Sequence, residues 1–166
     1  MVKQTKPVLV FGYGNLSRGD DALGPLLLEH LEQQGSFLAD VDILCDFQLQ
    51  VEHALDLEGR QLVLFVDASV ACTEAFEFAE LQPARDKSYT THAMSPAAVL
   101  SVYQTIKNQA PPPCFLLSIK GERFELGECL GSAAALNLQA ACRFAVELLS
   151  QPELEMWRLK AEPLTG

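Results

Sequence analysis

Short apolar runs alternate along this chain with longer stretches that have helical periodicity. The apolar runs are rich in branched side chains and predict five β-strands: Val8–Phe11, Val41–Cys45, Leu62–Val66, Ala75–Ala79 and Cys114–Ile119. The first and third runs are apolar without alternation, which is typical of parallel strands that are covered on both faces. The fourth run follows the third with too little chain for a crossover, so we expect it at an antiparallel edge.

The helical stretches predict four helices, which begin near Leu23, Gln50, Pro96 and Ser132. Gly35 ends the first, Ser95 is the expected N-cap of the third, and the fourth, the longest, runs to about Ser150. The second is short and covers residues 50–58. Because strands and helices alternate, we predict an α/β fold: a three-layer α/β/α sandwich around a mostly parallel, mixed five-stranded sheet.

The helical spacing also predicts which side chains face the core. His30 falls on the apolar face of the first helix, so we expect it in the core. The residues expected to face inward from the third and fourth helices are Val99, Leu100, Tyr103 and Ile106, and Leu136, Ala140, Phe144 and Leu148.

The chain has 166 residues and a net charge of −10, with 12 Lys and Arg against 22 Asp and Glu. This length suits one α/β domain, which we assign to residues 1–150, with residues 151–166 as a peripheral tail. The negative charge disfavours nucleic acid and anionic membranes as partners. No apolar stretch is long enough for a membrane span, no secretory signal is visible, and the five cysteines are scattered without a CxxC pair. We therefore predict a cytoplasmic protein with reduced thiols.

The most informative segment covers residues 11–24 and reads FGYGNLSRGDDALG. A strand runs into a glycine-punctuated loop that places Asp20 and Asp21 at the start of a helix. Carboxylates there can meet a cation, take part in proton transfer or interact with the helix N-terminus. Gly12 and Gly14 also begin a dinucleotide-binding motif, but Ser17 stands where its third glycine belongs. Nucleotide binding is therefore the weaker alternative.

Other polar residues follow the predicted strands, and ligands of α/β sheets bind at the carboxyl ends of the strands. The candidates at this edge are Asp20, Asp21, Asp46, Asp67 and His92. Carboxylates and an imidazole that meet there suit a divalent metal such as nickel, zinc or iron. Each candidate also has a structural alternative: Asp46 or Asp67 could complete a turn, one acid of the adjacent pair could begin the helix, and His92 could be an ordinary loop histidine.

Several familiar catalytic patterns are missing from the sequence. It has no HExxH, no GxSxG and no cysteine-rich zinc pattern, so a self-sufficient zinc or serine hydrolase is unsupported. Two carboxylates and one imidazole from these candidates would make a weak, open site. Such a site suits a metal that arrives already attached to another molecule.

Three segments together resemble the nickel–iron hydrogenase maturation endopeptidases. They are Gly12-Tyr13-Gly14-Asn15 with Asp21 and Gly24, Val66-Asp67-Ala68, and Thr91-His92-Ala93-Met94-Ser95-Pro96. The resemblance covers nearly the whole chain and includes Asp46 and the segment 121–127 before the last helix.

This resemblance implies an aspartyl-type peptidase that removes a C-terminal extension from the precursor of the hydrogenase large subunit after nickel insertion. It implies that Asp21, Asp67 and His92 are catalytic and contact the nickel, that the precursor supplies this nickel, and that no organic cofactor is needed. A carboxylate at the edge of the sheet would act as general base for the attacking water. Two alternatives stay open: a chaperone that binds a nickel-loaded precursor without cutting it, and a nucleotide-binding protein.

The stretch after the second strand departs from many members of this family, which have a small, glycine-rich turn there. Residues 47–54 of this chain read FQLQVEHA, which resembles the branch that serves soluble, NAD-reducing hydrogenases. We predict that Asp20, Asp46, Gln48 and Glu52 bind substrate. For Asp20 we further expect a side chain that points away from the metal cluster or contacts backbone near the loop.

Overall fold

A five-stranded sheet forms the centre of the fold in the computed structural model, which describes residues 4–35, 38–86 and 94–161. The strands are β1 (Val8–Tyr13), β2 (Val41–Asp46), β3 (Leu62–Ser69), β4 (Phe76–Glu80) and β5 (Cys114–Lys120). Their spatial order is β2-β1-β3-β5-β4; neighbouring strands are parallel except β4, which lies antiparallel to β5 at one edge. All five predicted strands and the antiparallel edge are confirmed.

Four α-helices and three short 3-10 helices connect the strands in the described residues. The α-helices are α1 (Leu23–Glu32), α2 (Pro96–Lys107), α3 (Ser132–Ser150) and α4 (Leu154–Lys160). The 3-10 helices cover Gly19–Ala22, Leu38–Asp40 and Val51–Leu57, so the second predicted helix is present as a tighter 3-10 turn. Ser95 caps α2 as predicted, because its Oγ accepts a hydrogen bond from the N–H of Ala98 at 3.1 Å.

The helices cover both faces of the sheet and give the predicted three-layer sandwich. Successive side chains of a strand point to opposite faces. Val8 and Val10 of β1 accordingly join a core with α1, α3 and α4. Leu9 and Phe11 join a second core with α2 and the 3-10 helix at Val51–Leu57. Within the described residues, no helix is long and apolar enough to cross a membrane.

Three predictions about helix faces are wrong. His30 and Ile106 are exposed near the C-terminal ends of α1 and α2, and Leu136 is exposed near the start of α3. The buried face of α3 is instead formed largely by small side chains, including Ala134, Ala141 and Ala145. Small residues let α3 pack closely on its neighbours, but they contribute little to a hydrophobic pattern read from large residues alone.

The segment after α3 contributes to the core, contrary to the peripheral position expected for the tail. Trp157 of α4 is fully buried, and its ring packs edge-on against Phe115 at a centroid distance of 5.3 Å. Its indole Nε1–H donates to the carbonyl oxygen of Leu148 at 2.9 Å. Burial of an aromatic ring of this size contributes several kcal/mol, so α4 belongs to the folded domain.

Candidate functional site

Three polar side chains lie in a row at the carboxyl edge of the parallel strands. The strand register pairs Tyr13 with Asp46, and it pairs Gly12 with Val66, so Tyr13 lies beside Asp67 at the next position. Paired residues on neighbouring strands point to the same face of a sheet. Asp46, Tyr13 and Asp67 therefore share the face that is covered by α2.

Two glycines let the loop after β1 fold back onto this row. Gly14 has a φ of +148°, and a Cβ at this position would lie 2.0 Å from the carbonyl oxygen of Asp21. A Cβ on Gly24 would lie 2.7 Å from the carbonyl oxygen of Tyr13. No side chain fits at either contact, so these glycines allow the start of α1 to reach the end of β1. The loop thereby brings Asp21 to the edge of the sheet.

The adjacent acids Asp20 and Asp21 have different surroundings. Asp20 is only 2% exposed, and its carboxylate accepts hydrogen bonds from the N–H groups of Glu122 (2.7 Å), Arg123 (3.1 Å) and Gly131 (2.9 Å). Burial acts to raise the pKa of Asp20, but these three hydrogen bonds outweigh it and hold the pKa below its usual value. Asp20 therefore fastens the loop after β5 to the loop after β1, and the expected contact with backbone is observed.

Asp21 faces the row instead. Its Oδ2 accepts a hydrogen bond from the N–H of Asn15 at 2.8 Å, which fixes the carboxylate at the end of β1. Its negative charge also acts on both Tyr13 and Asp67, which places the three side chains in one electrostatic cluster.

Asp67 is the most strongly perturbed carboxyl group of this cluster. Burial is the main cause, and with the charge of Asp21 it raises the pKa of Asp67 to about 6, although the Tyr13 hydroxyl and the N–H of Ala68 favour the ionised form. An acid with a pKa near neutrality can take up or release a proton under working conditions. The arrangement is therefore suited to proton transfer.

Tyr13 is a member of the site that the sequence analysis did not single out, although it lies within the glycine motif. Its hydroxyl is buried and faces Asp67, but it forms no hydrogen bond of standard geometry with a described residue. Burial, together with the nearby carboxyls of Asp67 and Asp21, raises the pKa of Tyr13 well above its usual value. Tyr13 is thus a neutral hydroxyl that faces Asp67 and lies within the influence of the charge of Asp21.

Asp46 is held by an unpredicted partner, His53. The Nε2 of His53 lies 3.1 Å from Oδ2 of Asp46, and the Nδ1 of His53 accepts a hydrogen bond from the N–H of Gln50 at 2.8 Å. Since Nδ1 accepts, we assign the proton to Nε2, which donates to the carboxylate. The other oxygen of Asp46 accepts from the N–H of Phe47 at 2.7 Å. These contacts order the segment after β2, where Gln48 is half-buried and Glu52 is exposed.

The predicted three-residue metal cluster is only partly visible. Asp21 and Asp67 lie in the same cluster, whereas His92 lies outside the described residues. Among residues 4–35, 38–86 and 94–161, no three His, Cys, Asp or Glu side chains are grouped closely enough to hold a metal ion. The convergence of Asp21, Asp67 and His92 therefore stays a prediction.

Solved structures with this architecture are known. The chain is similar to the hydrogenase maturating endopeptidase HybD from Escherichia coli, with 24% identity, a TM-score of 0.69, and coverage of 87% of this chain and 93% of that one. It is also similar to the [NiFe] hydrogenase maturation protease HycI from Thermococcus kodakarensis, with 23% identity, a TM-score of 0.66, and coverage of 90% and 96%. A hydrogenase 2 maturation peptidase from a Thaumarchaeota archaeon matches with 21% identity, a TM-score of 0.63, and coverage of 87% and 98%.

No protein-family model and no curated protein sequence matches the chain. The structural matches span nearly the full length of both partners, so they establish the fold: this chain has the α/β architecture of the hydrogenase maturation proteases.

Proposed function

We propose that this protein is an endopeptidase that removes the C-terminal extension of a nickel–iron hydrogenase large-subunit precursor. The observation that carries the proposal is the position of Asp21 and Asp67. These two motif acids come from different loops, and the fold brings them into one cluster with Tyr13 at the carboxyl edge of the sheet. A fold shared with proteins named as hydrogenase maturation proteases supports the same assignment.

The metal in this proposal belongs to the substrate. Asp21 and Asp67, together with His92, would contact nickel that the precursor already holds through its own ligands. Two carboxylates and an imidazole are acceptable ligands for nickel, and they leave room for the ligands of the precursor. The enzyme thereby distinguishes a nickel-loaded precursor from an empty one.

Asp67 is the residue that we assign as general base. One oxygen of its carboxylate would contact nickel, and the other oxygen would be the acceptor of the proton. It would take a proton from a water molecule while the water oxygen attacks the scissile carbonyl carbon. The proton then passes to the amide nitrogen as the C–N bond breaks, so Asp67 returns to its ionised form.

The segment after β2 carries three candidate substrate contacts: Asp46, Gln48 and Glu52. We do not assign Asp20 as a substrate contact, because three backbone N–H groups already donate hydrogen bonds to its carboxylate. The sequence of residues 47–54 favours a precursor from a soluble, NAD-reducing hydrogenase, and we place the reaction in the cytoplasm.

The decisive experiment is incubation of the protein with nickel-loaded precursor, followed by mass spectrometry of the precursor. We expect loss of a C-terminal peptide with the wild-type protein, no loss with the nickel-free precursor, and strongly reduced loss with Asp67→Asn. Stable binding without any mass loss would identify a chaperone instead. Tight binding of an adenine nucleotide in a parallel titration would favour the nucleotide-binding alternative.

A further inference from the structure

Exposed apolar side chains are concentrated at the carboxyl edge of the sheet. Nine large hydrophobic residues are exposed in the described part of the chain, and five of them lie in or next to the loops that leave β1, β2, β3 and β5 at this edge. These five residues, which we call the apolar rim, are Leu16, Phe47, Val51, Val70 and Leu126. Each exposes between 55% and 72% of its surface. A cluster of exposed apolar side chains around a polar site is typical of a surface that another protein covers.

Backbone hydrogen bonds hold the loops of the apolar rim together. The N–H of Gly127 donates to the carbonyl oxygen of Ser17 at 2.7 Å, which joins the loops that carry Leu126 and Leu16. The N–H of Gly121 donates to the carbonyl oxygen of Ser69 at 3.1 Å, next to Val70. The part of the rim that carries Leu16, Val70 and Leu126 is therefore tied together before any partner binds, so a partner need not order those loops.

The charge of the same loops indicates the chemistry of the partner. Exposed acids at Glu52, Glu122 and Glu125 add to the site carboxylates, while the exposed bases on these loops are Arg18 and Arg123. The whole chain is acidic as well, with a net charge of −10. A complementary partner therefore combines apolar side chains with lysine or arginine.

We propose that the apolar rim docks the folded surface of the substrate protein beside its scissile bond, through apolar side chains flanked by basic ones. This inference rests on the proposed function, because the rim residues lie on loops at the same carboxyl edge of the sheet as Asp21, Asp67 and Tyr13. Recognition then depends on a protein surface that is much wider than the residues on either side of the cleaved bond.

The test compares two double variants with matched exposure. The rim variant is Phe47→Ser with Val51→Ser, at residues that are 72% and 55% exposed. The control variant is Leu159→Ser with Ile106→Ser, at residues that are 80% and 54% exposed. The control residues lie near the C-terminal ends of α4 and α2. Both pairs are exposed, so both variants should keep the thermal unfolding midpoint of the wild-type protein.

Three quantities are to be measured for each protein: the Kd for nickel-loaded precursor by titration, the cleavage of the precursor by mass spectrometry, and the oligomeric state of the protein by sedimentation. For the rim variant we expect a Kd raised by about tenfold or more and a correspondingly higher KM, and for the control variant a change of less than about twofold. Raising the salt concentration should weaken binding of the wild-type protein. Wild-type affinity in the rim variant would overturn the inference while leaving the proposed function intact.

Two further outcomes are distinguishable. If the wild-type protein is a dimer that the rim variant dissociates, a second copy covers the rim and the inference is wrong. If the wild-type protein binds precursor through the rim but never cleaves it, docking stands and the proposed function fails. Absence of both binding and cleavage would overturn the inference together with the proposed function.

Discussion

Replacing Asp67 by Asn should abolish processing of the precursor and at the same time stabilise the fold. Burial, the main cause, raises the pKa of Asp67 from its usual 3.8 to about 6 in the folded protein. A carboxyl group whose pKa is higher in the folded state binds its proton more tightly there than in the unfolded chain. The folded state therefore loses stability as the pH rises from about 4 to about 6, and this penalty persists at higher pH.

The size of the penalty follows from the two pKa values. The interval from 3.8 to about 6, multiplied by about 1.4 kcal/mol for each pH unit, gives an upper limit of about 3 kcal/mol. Water reaches part of this half-buried side chain, so we expect about 1–3 kcal/mol. Asn has nearly the same shape, keeps an acceptor for the N–H of Ala68, and carries no charge. Asp67→Asn should thus gain this amount of stability above about pH 6 and little at about pH 4.

The assay is urea unfolding of the wild-type and Asp67→Asn proteins at several pH values between about 4 and 8. The difference in the free energy of unfolding should grow with pH and level off above about pH 6. Asp42→Asn is the matched control with the opposite sign. Burial acts to raise the pKa of Asp42, but hydrogen bonds from Arg60 and from the N–H of Lys6 outweigh it and lower the pKa. That variant should be less stable than the wild-type protein at neutral pH.

A pH-independent difference between the Asp67→Asn and wild-type proteins would refute this reasoning, since it would mean that Asp67 has similar pKa values in the folded and unfolded states. A variant less stable than the wild-type protein at about pH 8 would also refute it. Processing of nickel-loaded precursor at the wild-type rate by Asp67→Asn would show that the carboxyl is structural and would remove it from the proposed mechanism.

Four further predictions concern single features of the site. Tyr13→Phe removes a buried hydroxyl without a standard hydrogen bond, so its unfolding free energy at about pH 5 should equal or exceed that of the wild-type protein; a loss of more than about 1 kcal/mol would show that this hydroxyl has a partner. Gly14→Ala should lower the unfolding free energy by about 2 kcal/mol or more in a urea titration, whereas Gly35→Ala, where a Cβ meets nothing within 4 Å, should lose less. Gln48→Ala and Glu52→Ala should weaken processing more than they change the melting temperature, and full activity in both would return this segment to a structural role. The isolated protein should bind nickel or zinc weakly by calorimetry, because the proposed site offers only three protein ligands, Asp21, Asp67 and His92, and not a closed four-ligand cage; one metal ion retained after chelation would contradict this.

The strands of this fold could be predicted from the sequence because each is a short run dominated by apolar side chains, and the two central runs, Val8–Phe11 and Leu62–Val66, contain no polar residue at all. Hydrophobic periodicity gave the wrong buried face near the start of α3, where Ala134 is buried and the large residue Leu136 is exposed. The burial of Trp157 was likewise not predicted, because it depends on packing against Phe115, about forty positions earlier in the chain. Local periodicity reports which side of an element is apolar, but it does not report which neighbour is close enough to cover it.

The polar residues of the candidate site could also be predicted only in part from the sequence. Asp21 and Asp67 could be proposed from the sequence because each follows a strand, and the carboxyl ends of parallel strands share one edge. A backbone contact was expected for Asp20, but its partners were not, since they are the N–H groups of residues about a hundred positions later, Glu122, Arg123 and Gly131. Likewise, the pairing of His53 with Asp46 depends on a 3-10 turn that directs the imidazole back toward the end of β2. Residue type and strand position therefore select the acids, while long-range backbone contacts decide which of them remains available for chemistry.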